Sequence, residues 1–141
     1  MDESVLRQMM EEFIPFNTFL GVRVREVGKG IVVMEIPFRD VLVGDPMRPA
    51  LHGGVLSALA DTCGGAAVWV DLEDPRARVS TIDLRIDYLR PARLETLVAE
   101  AKVVRLGNRV GVADMRLFNA PTPDVTIATG KGVYNISIGK T

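Results

Sequence analysis

Residues 51–70 read Leu51-His52-Gly53-Gly54-Val55-Leu56-Ser57-Ala58-Leu59-Ala60-Asp61-Thr62-Cys63-Gly64-Gly65-Ala66-Ala67-Val68-Trp69-Val70, and the way this stretch folds decides the rest. From Gly53 onward it contains no proline, and its apolar residues recur with a helical period. Leu56, Ala60, Cys63 and Ala67 make one stripe, widened by Leu59 and Ala66. A second stripe, Gly54, Ser57, Ala58, Asp61 and Gly65, is nearly all small. A helix apolar on one side and small on the other can be buried on both, because small residues let neighbouring backbones approach. The pair Gly64-Gly65 runs against a helix, at a cost of about 1 kcal/mol per glycine relative to alanine.

Outward from this helix the pattern changes. Toward the N-terminus, Leu6, Met9, Met10 and Phe13 predict an amphipathic helix over 4–14, capped by Ser4 and stopped by Pro15. Two β-branched runs, 21–27 and 31–37, flank Gly28-Lys29-Gly30 and predict a hairpin. Residues 39–51, with Gly44, Pro46 and Pro49, are expected to be loop. Toward the C-terminus, 79–89 alternates. Ile82, Leu84, Ile86 and Tyr88 take one face, and Thr81, Asp83, Arg85 and Asp87 the other. Strand-like runs at 96–106, 109–118 and 125–137 follow, with Gly107-Asn108 as a hairpin turn. The sum is an α+β domain: an antiparallel sheet of about six strands wrapped around one long central helix. Such a sheet leaves edges that favour dimerisation.

The bulk numbers set bounds. A chain of 141 residues fits one domain spanning 1–141. A formal net charge of −1 with interspersed signs argues against a nucleic-acid binder. A single cysteine, Cys63, cannot form an internal disulfide. Neither a signal peptide nor a charge-free membrane span is evident, so a cytoplasmic protein is expected. One histidine leaves no His-rich zinc set.

The chemistry-bearing residues cluster at the start of the long helix. The first turn of a helix has unpaired N–H donors and a positive dipole end, so Gly53 and Gly54 are placed to stabilise a developing oxyanion. Asp61 lies two turns further, on the stripe that carries Gly54. A carboxylate on such a helix is either paired for structure or functional. His52 reads equally as a capping or core histidine and as part of a site. Cys63, with no second histidine to activate it, reads as core.

The stretch from Leu51 to Asp61 resembles the signature of the hotdog-fold acyl-CoA thioesterases of the phenylacetate-pathway (PaaI-like) and 4-hydroxybenzoyl-CoA types. That signature is His-Gly-Gly followed by an acid nine residues after the histidine. Tyr88-Leu89-Arg90-Pro91-Ala92 and Gly107-Asn108-Arg109 resemble further family motifs. The resemblance implies hydrolysis of acyl-CoA to free acid and CoA without a cofactor, in a homodimer assembling to a homotetramer. It implies that Gly53, with Gly54 nearby, offers N–H to the thioester carbonyl and that His52 shapes the loop. Asp61 of the other subunit would act as general base or nucleophile, and Thr81 would orient water. Arg90, Asn108, Arg109 and Lys131 are candidates for holding CoA. One departure stands out: where relatives place an Asn or Gln six residues before the histidine, this chain has Pro46. Asp45 and Arg48 are the nearest substitutes. A non-catalytic acyl-CoA or lipid-binding module is therefore the alternative, and a hydratase-type enzyme fits the lone histidine poorly.

Overall fold

The computed structural model describes residues 1–139. Its centre is the helix α3, Gly53–Val70, bounded as the periodicity predicts. Before it come α1 (Glu3–Gln8), α2 (Pro15–Leu20) and the strands β1 (Arg23–Gly28), β2 (Ile31–Ile36), β3 (Val43–Asp45) and β4 (Ala50–Leu51). After it come β5 (Ala77–Tyr88), β6 (Leu97–Leu106), β7 (Val110–Asn119) and β8 (Ala128–Ile138). Six of these form one antiparallel sheet in the order β1-β2-β6-β7-β8-β5, and β3 and β4 pair separately as a short ribbon. The sheet packs its inner face on α3, whose Leu56, Leu59, Ala60, Cys63, Ala66, Ala67 and Val68 are buried in the main core. By length and composition α3 would also suit a membrane span, yet ten of its residues are buried within the fold. It is a core helix.

The N-terminal expectation needs correcting. The first helix is capped by Asp2, whose carboxylate accepts the Ser4 N–H at 2.8 Å, rather than by Ser4. It then widens into a π-helical turn, Met9–Phe13, and Pro15 does more than stop it. Proline suits the first position of a helix, where its missing N–H costs nothing, and Pro15 opens α2 there. Gly21 closes α2 in the left-handed conformation with φ 79°. The segment 39–51 is also more ordered than a loop: a 3-10 turn at Asp40–Leu42 leads into the β3–β4 ribbon.

Strand β5 departs from strict alternation. Its pairing with β8 shifts between Thr81, opposite Tyr134, and Asp83, opposite Val133, so Ile82 is an extra residue in a β-bulge. The bulge turns Thr81 to the helix side, which Ala77, Val79, Leu84 and Ile86 share, and leaves Ile82 exposed. The sequence expectation had Thr81 on the opposite face.

Gly64, the first glycine of the Gly64-Gly65 pair in α3, has a steric reason. Tyr134 of β8, 1% exposed, lies against the helix and donates its hydroxyl to the Asp61 carbonyl at 3.0 Å. A Cβ at Gly64 would sit 2.3 Å from the tyrosine oxygen, whereas at Gly65 the nearest atom would be 3.4 Å away. Burial pushes the Tyr134 hydroxyl far above its usual pKa, so it stays a neutral donor. Burial likewise pushes up the Cys63 thiol, whose Sγ lies 3.2 Å from the Val32 carbonyl.

Two measurements check this packing. Gly64→Ala is expected to lower the denaturant midpoint by an equivalent of about 1–3 kcal/mol despite alanine's better helix propensity. Gly65→Ala should be neutral or stabilise by up to about 1 kcal/mol. A thiol-labelling reagent at neutral pH should leave Cys63 unmodified in the folded protein and modify it fully after unfolding.

Candidate active site

The approach to α3 is set by the β3–β4 ribbon. The His52 N–H donates to the Leu42 carbonyl at 2.8 Å, and a Cβ on Gly44 would fall 2.5 Å from the His52 Cα. Only glycine lets β3 come this close. His52 is the N-cap of α3, with φ −61° and ψ 133°, and its Nδ1 accepts the Gly54 N–H at 2.8 Å. The imidazole thus does the work of a capping oxygen. Two consequences follow. The N–H of Gly54 is spent inside the loop. Among the described residues no acceptor takes the N–H of Gly53, which stands at the positive end of the helix dipole.

The carbonyl of Gly53 is held as well. It accepts from Ser57 Oγ at 3.0 Å and from Tyr88 Oη at 3.1 Å, and those two hydroxyls are 3.0 Å apart. The Tyr88 ring is close enough that a Cβ on Gly53 would meet it at 3.3 Å. Together they fix the Gly53 peptide between hydroxyls on two elements. From sequence, Tyr88 is an inward-facing strand residue and Ser57 a small one; only the fold brings them to one carbonyl.

Asp61 lies two turns along α3, half-buried. Thr81 Oγ1 donates to its Oδ1 at 2.8 Å. The bulge at Ile82 makes this contact possible, since an unbroken β5 would turn Thr81 away. Asp61 and Thr81 border a cavity of about 490 Å³, within the usual range for a small-molecule pocket. Its walls are mostly apolar: Met9, Met10, Ile14 and Phe16 from the N-terminal segment, Ala66 and Trp69 from α3, and Val79 from β5. Sequence reading placed none of the N-terminal residues near the site, because the cavity they share with Asp61 joins distant parts of the chain.

The remaining candidates divide by position. Asp45 Oδ1 accepts the N–H groups of Met47 and Arg48 at 2.9 and 3.1 Å, and these bonds, that to Arg48 foremost, hold its carboxyl below the usual range. A charged, locally committed carboxylate does not replace an amide donor. The Arg48 side chain, 92% exposed, pairs loosely with Asp45 at 3.5 Å. Arg90 lies at the Gly53 end, on a cleft of about 300 Å³ that Gly53, Leu56 and Tyr88 also line, and donates to the Thr126 carbonyl. Asn108 and Arg109 do not join it. Their turn is followed by Gly111, where a Cβ would lie 2.7 Å from Val68, at the far end of α3. Lys131 sits between core-facing Gly130 and Gly132, so it projects from the opposite sheet face, where it pairs with Asp114 at 2.6 Å.

Comparison with known proteins gives the family and the fold. A family model described as Thioesterase superfamily matches residues 49–126, more than half of the chain. The medium/long-chain acyl-CoA thioesterase YigI of Escherichia coli is 32% identical over 90% of this chain and 92% of its own length. A Halobacterium salinarum protein, provisionally named an esterase, is 41% identical over 96% of this chain and 93% of its own. Among solved structures, a thioesterase family protein from Silicibacter pomeroyi superposes with a TM-score of 0.86 at 25% identity, over 96% of this chain and 98% of that one. With its six-stranded antiparallel sheet closed around α3, the chain belongs to the thioesterase superfamily and has the hotdog fold.

Proposed function

We propose that this protein hydrolyses acyl-CoA thioesters to a free carboxylic acid and CoA. The observation that carries this reading is the Asp61 carboxylate, oriented by Thr81 at the edge of an apolar cavity. The Gly53 N–H, which has no acceptor among the described residues, would supply the complementary donor at the start of the same helix. The acyl-CoA thioesterase name of the E. coli relative supports the substrate class.

The chemistry needs three groups to converge. Asp61 takes a proton from water as it attacks the thioester carbonyl, or attacks that carbon itself to give an anhydride that water then opens. The carbonyl oxygen gathers negative charge against the Gly53 N–H. The C–S bond breaks, and CoA leaves as the thiolate and is protonated. Within one chain, Gly53 and Asp61 are eight residues apart, about 12 Å along the helix axis, too far to touch one carbonyl. The site is therefore proposed to form in a homodimer, with Gly53 from one subunit facing Asp61 of its partner. Pairs of dimers would complete a homotetramer. Arg48 and Arg90, at the Gly53 end, are the cations placed to meet the CoA phosphates.

One observation favours a second reading, an acyl-CoA-binding module without turnover. Pro46 stands where a side chain amide would grip the carbonyl, and Asp45 is charged and committed to its own turn.

Thiol release from a panel of medium-chain and aromatic acyl-CoAs separates the two. Hydrolysis is expected, with Asp61→Asn lowering kcat by about 10²–10⁴-fold. Thr81→Val should cost about tenfold, the worth of one orienting hydrogen bond. Tight binding with no thiol release would establish the module instead. Full turnover in Asp61→Asn would remove Asp61 from the mechanism.

A further inference from the structure

The cavity beside Asp61 contains a polar group that the fold leaves unused. Asn17, in α2, is 2% exposed and lines the cavity. Its Nδ2 reaches only the Met10 sulfur, at 3.8 Å, a weak acceptor. Among the described residues no donor reaches its Oδ1. The neighbouring polar groups are committed elsewhere: Trp69 Nε1 to the Ala77 carbonyl at 3.2 Å, Tyr134 Oη to the Asp61 carbonyl, and Thr81 Oγ1 to Asp61. An amide oxygen with no protein donor takes its hydrogen bonds from the cavity it opens on, from water or from an occupant. Thr62 and Arg78 also line the wall, but neither bonds Asn17, so among the described residues the missing donor belongs to whatever occupies the cavity.

The geometry points to an acyl pocket that selects an oxygen-bearing acyl group. The chain packs against Met9, Met10, Ile14, Phe16 and Trp69, and a hydroxyl or carbonyl oxygen away from the thioester end pairs with Asn17. The inference rests on the hydrolase reading for its substrate class and adds a specificity determinant to it. Asn17, Met9, Met10, Ile14 and Phe16 come from the segment before residue 49, outside the stretch that the family model matches, whereas Trp69 lies within it. Selectivity is thus carried by the part of the chain that the shared motifs do not cover.

Trp69 is the sole tryptophan and lines this cavity, so its fluorescence reports occupancy without turnover. The whole protein is titrated with the straight-chain acids from hexanoate to decanoate and with their ω-hydroxylated counterparts. At the best-fitting length, the hydroxylated acid is expected to bind at least about tenfold more tightly, since a site built for a hydroxyl discriminates against its absence. Asn17→Ala should erase that preference, so that the hydroxylated acid binds no more tightly than its plain counterpart. Equal affinity across every wild-type pair, or no Trp69 response to any acid, overturns the proposal without need of a variant. A preference that survives in Asn17→Ala overturns the role of Asn17. A selective Trp69 response with no thiol released from any acyl-CoA supports the pocket and sinks the hydrolase reading alone.

Discussion

One close approach between α3 and the sheet occurs where the helix has no side chain to offer. Tyr134 fills the space left open at Gly64, and its buried hydroxyl bonds the Asp61 carbonyl at the next turn. This contact couples two requirements. The sheet must come close enough to bury the apolar stripe of α3, and the backbone at Asp61 must be held so that its carboxylate meets Thr81. The helix penalty of Gly64 is the cost of that proximity. The same logic recurs at Gly44, where the lack of a Cβ lets the β3–β4 ribbon press on His52 and aim the start of α3.

The site that results is split along the helix. Its donor end is assembled by capping: His52 consumes the Gly54 N–H, which leaves the Gly53 N–H without an acceptor among the described residues. Its carboxylate end is assembled by a strand irregularity, the bulge that turns Thr81 inward. Neither end is complete alone. The small, partly exposed face of α3 runs between them, and in the proposed dimer a second copy would bring its own Gly53 to Asp61 across it. His52 serves as the cap of α3, and in the proposed mechanism the charge-bearing work falls to backbone and carboxylate.

Much of this was legible in the sequence. The bounds of α3, the hairpin at Gly28-Lys29-Gly30, the strand-rich C-terminal half and the nine-residue step from His52 to Asp61 follow from periodicity, turn residues and motif. What escaped had physical reasons. Ile82 is apolar and continues the alternation of Leu84 and Ile86, so nothing local marks it as the extra residue of a bulge. Pro15 ends one helix and begins another, and a proline signals both alike. β3 and β4 are three and two residues long, too short for any period. Tyr88, Tyr134 and Asn17 matter through contacts between segments far apart in the chain, which pattern within a segment does not encode.

A mixed-dimer experiment tests the shared site most directly. Gly53→Pro deletes the free N–H, yet proline is accepted at the first position of a helix and His52 already has the extended backbone that precedes proline. Gly53→Pro and Asp61→Asn homodimers should each be nearly inactive. Mixing them after subunit exchange should restore thiol release, because half of the sites in each heterodimer regain both an intact Gly53 and an intact Asp61. If exchange is complete and activity stays at the level of the separate variants, the donor and the carboxylate do not come from different subunits.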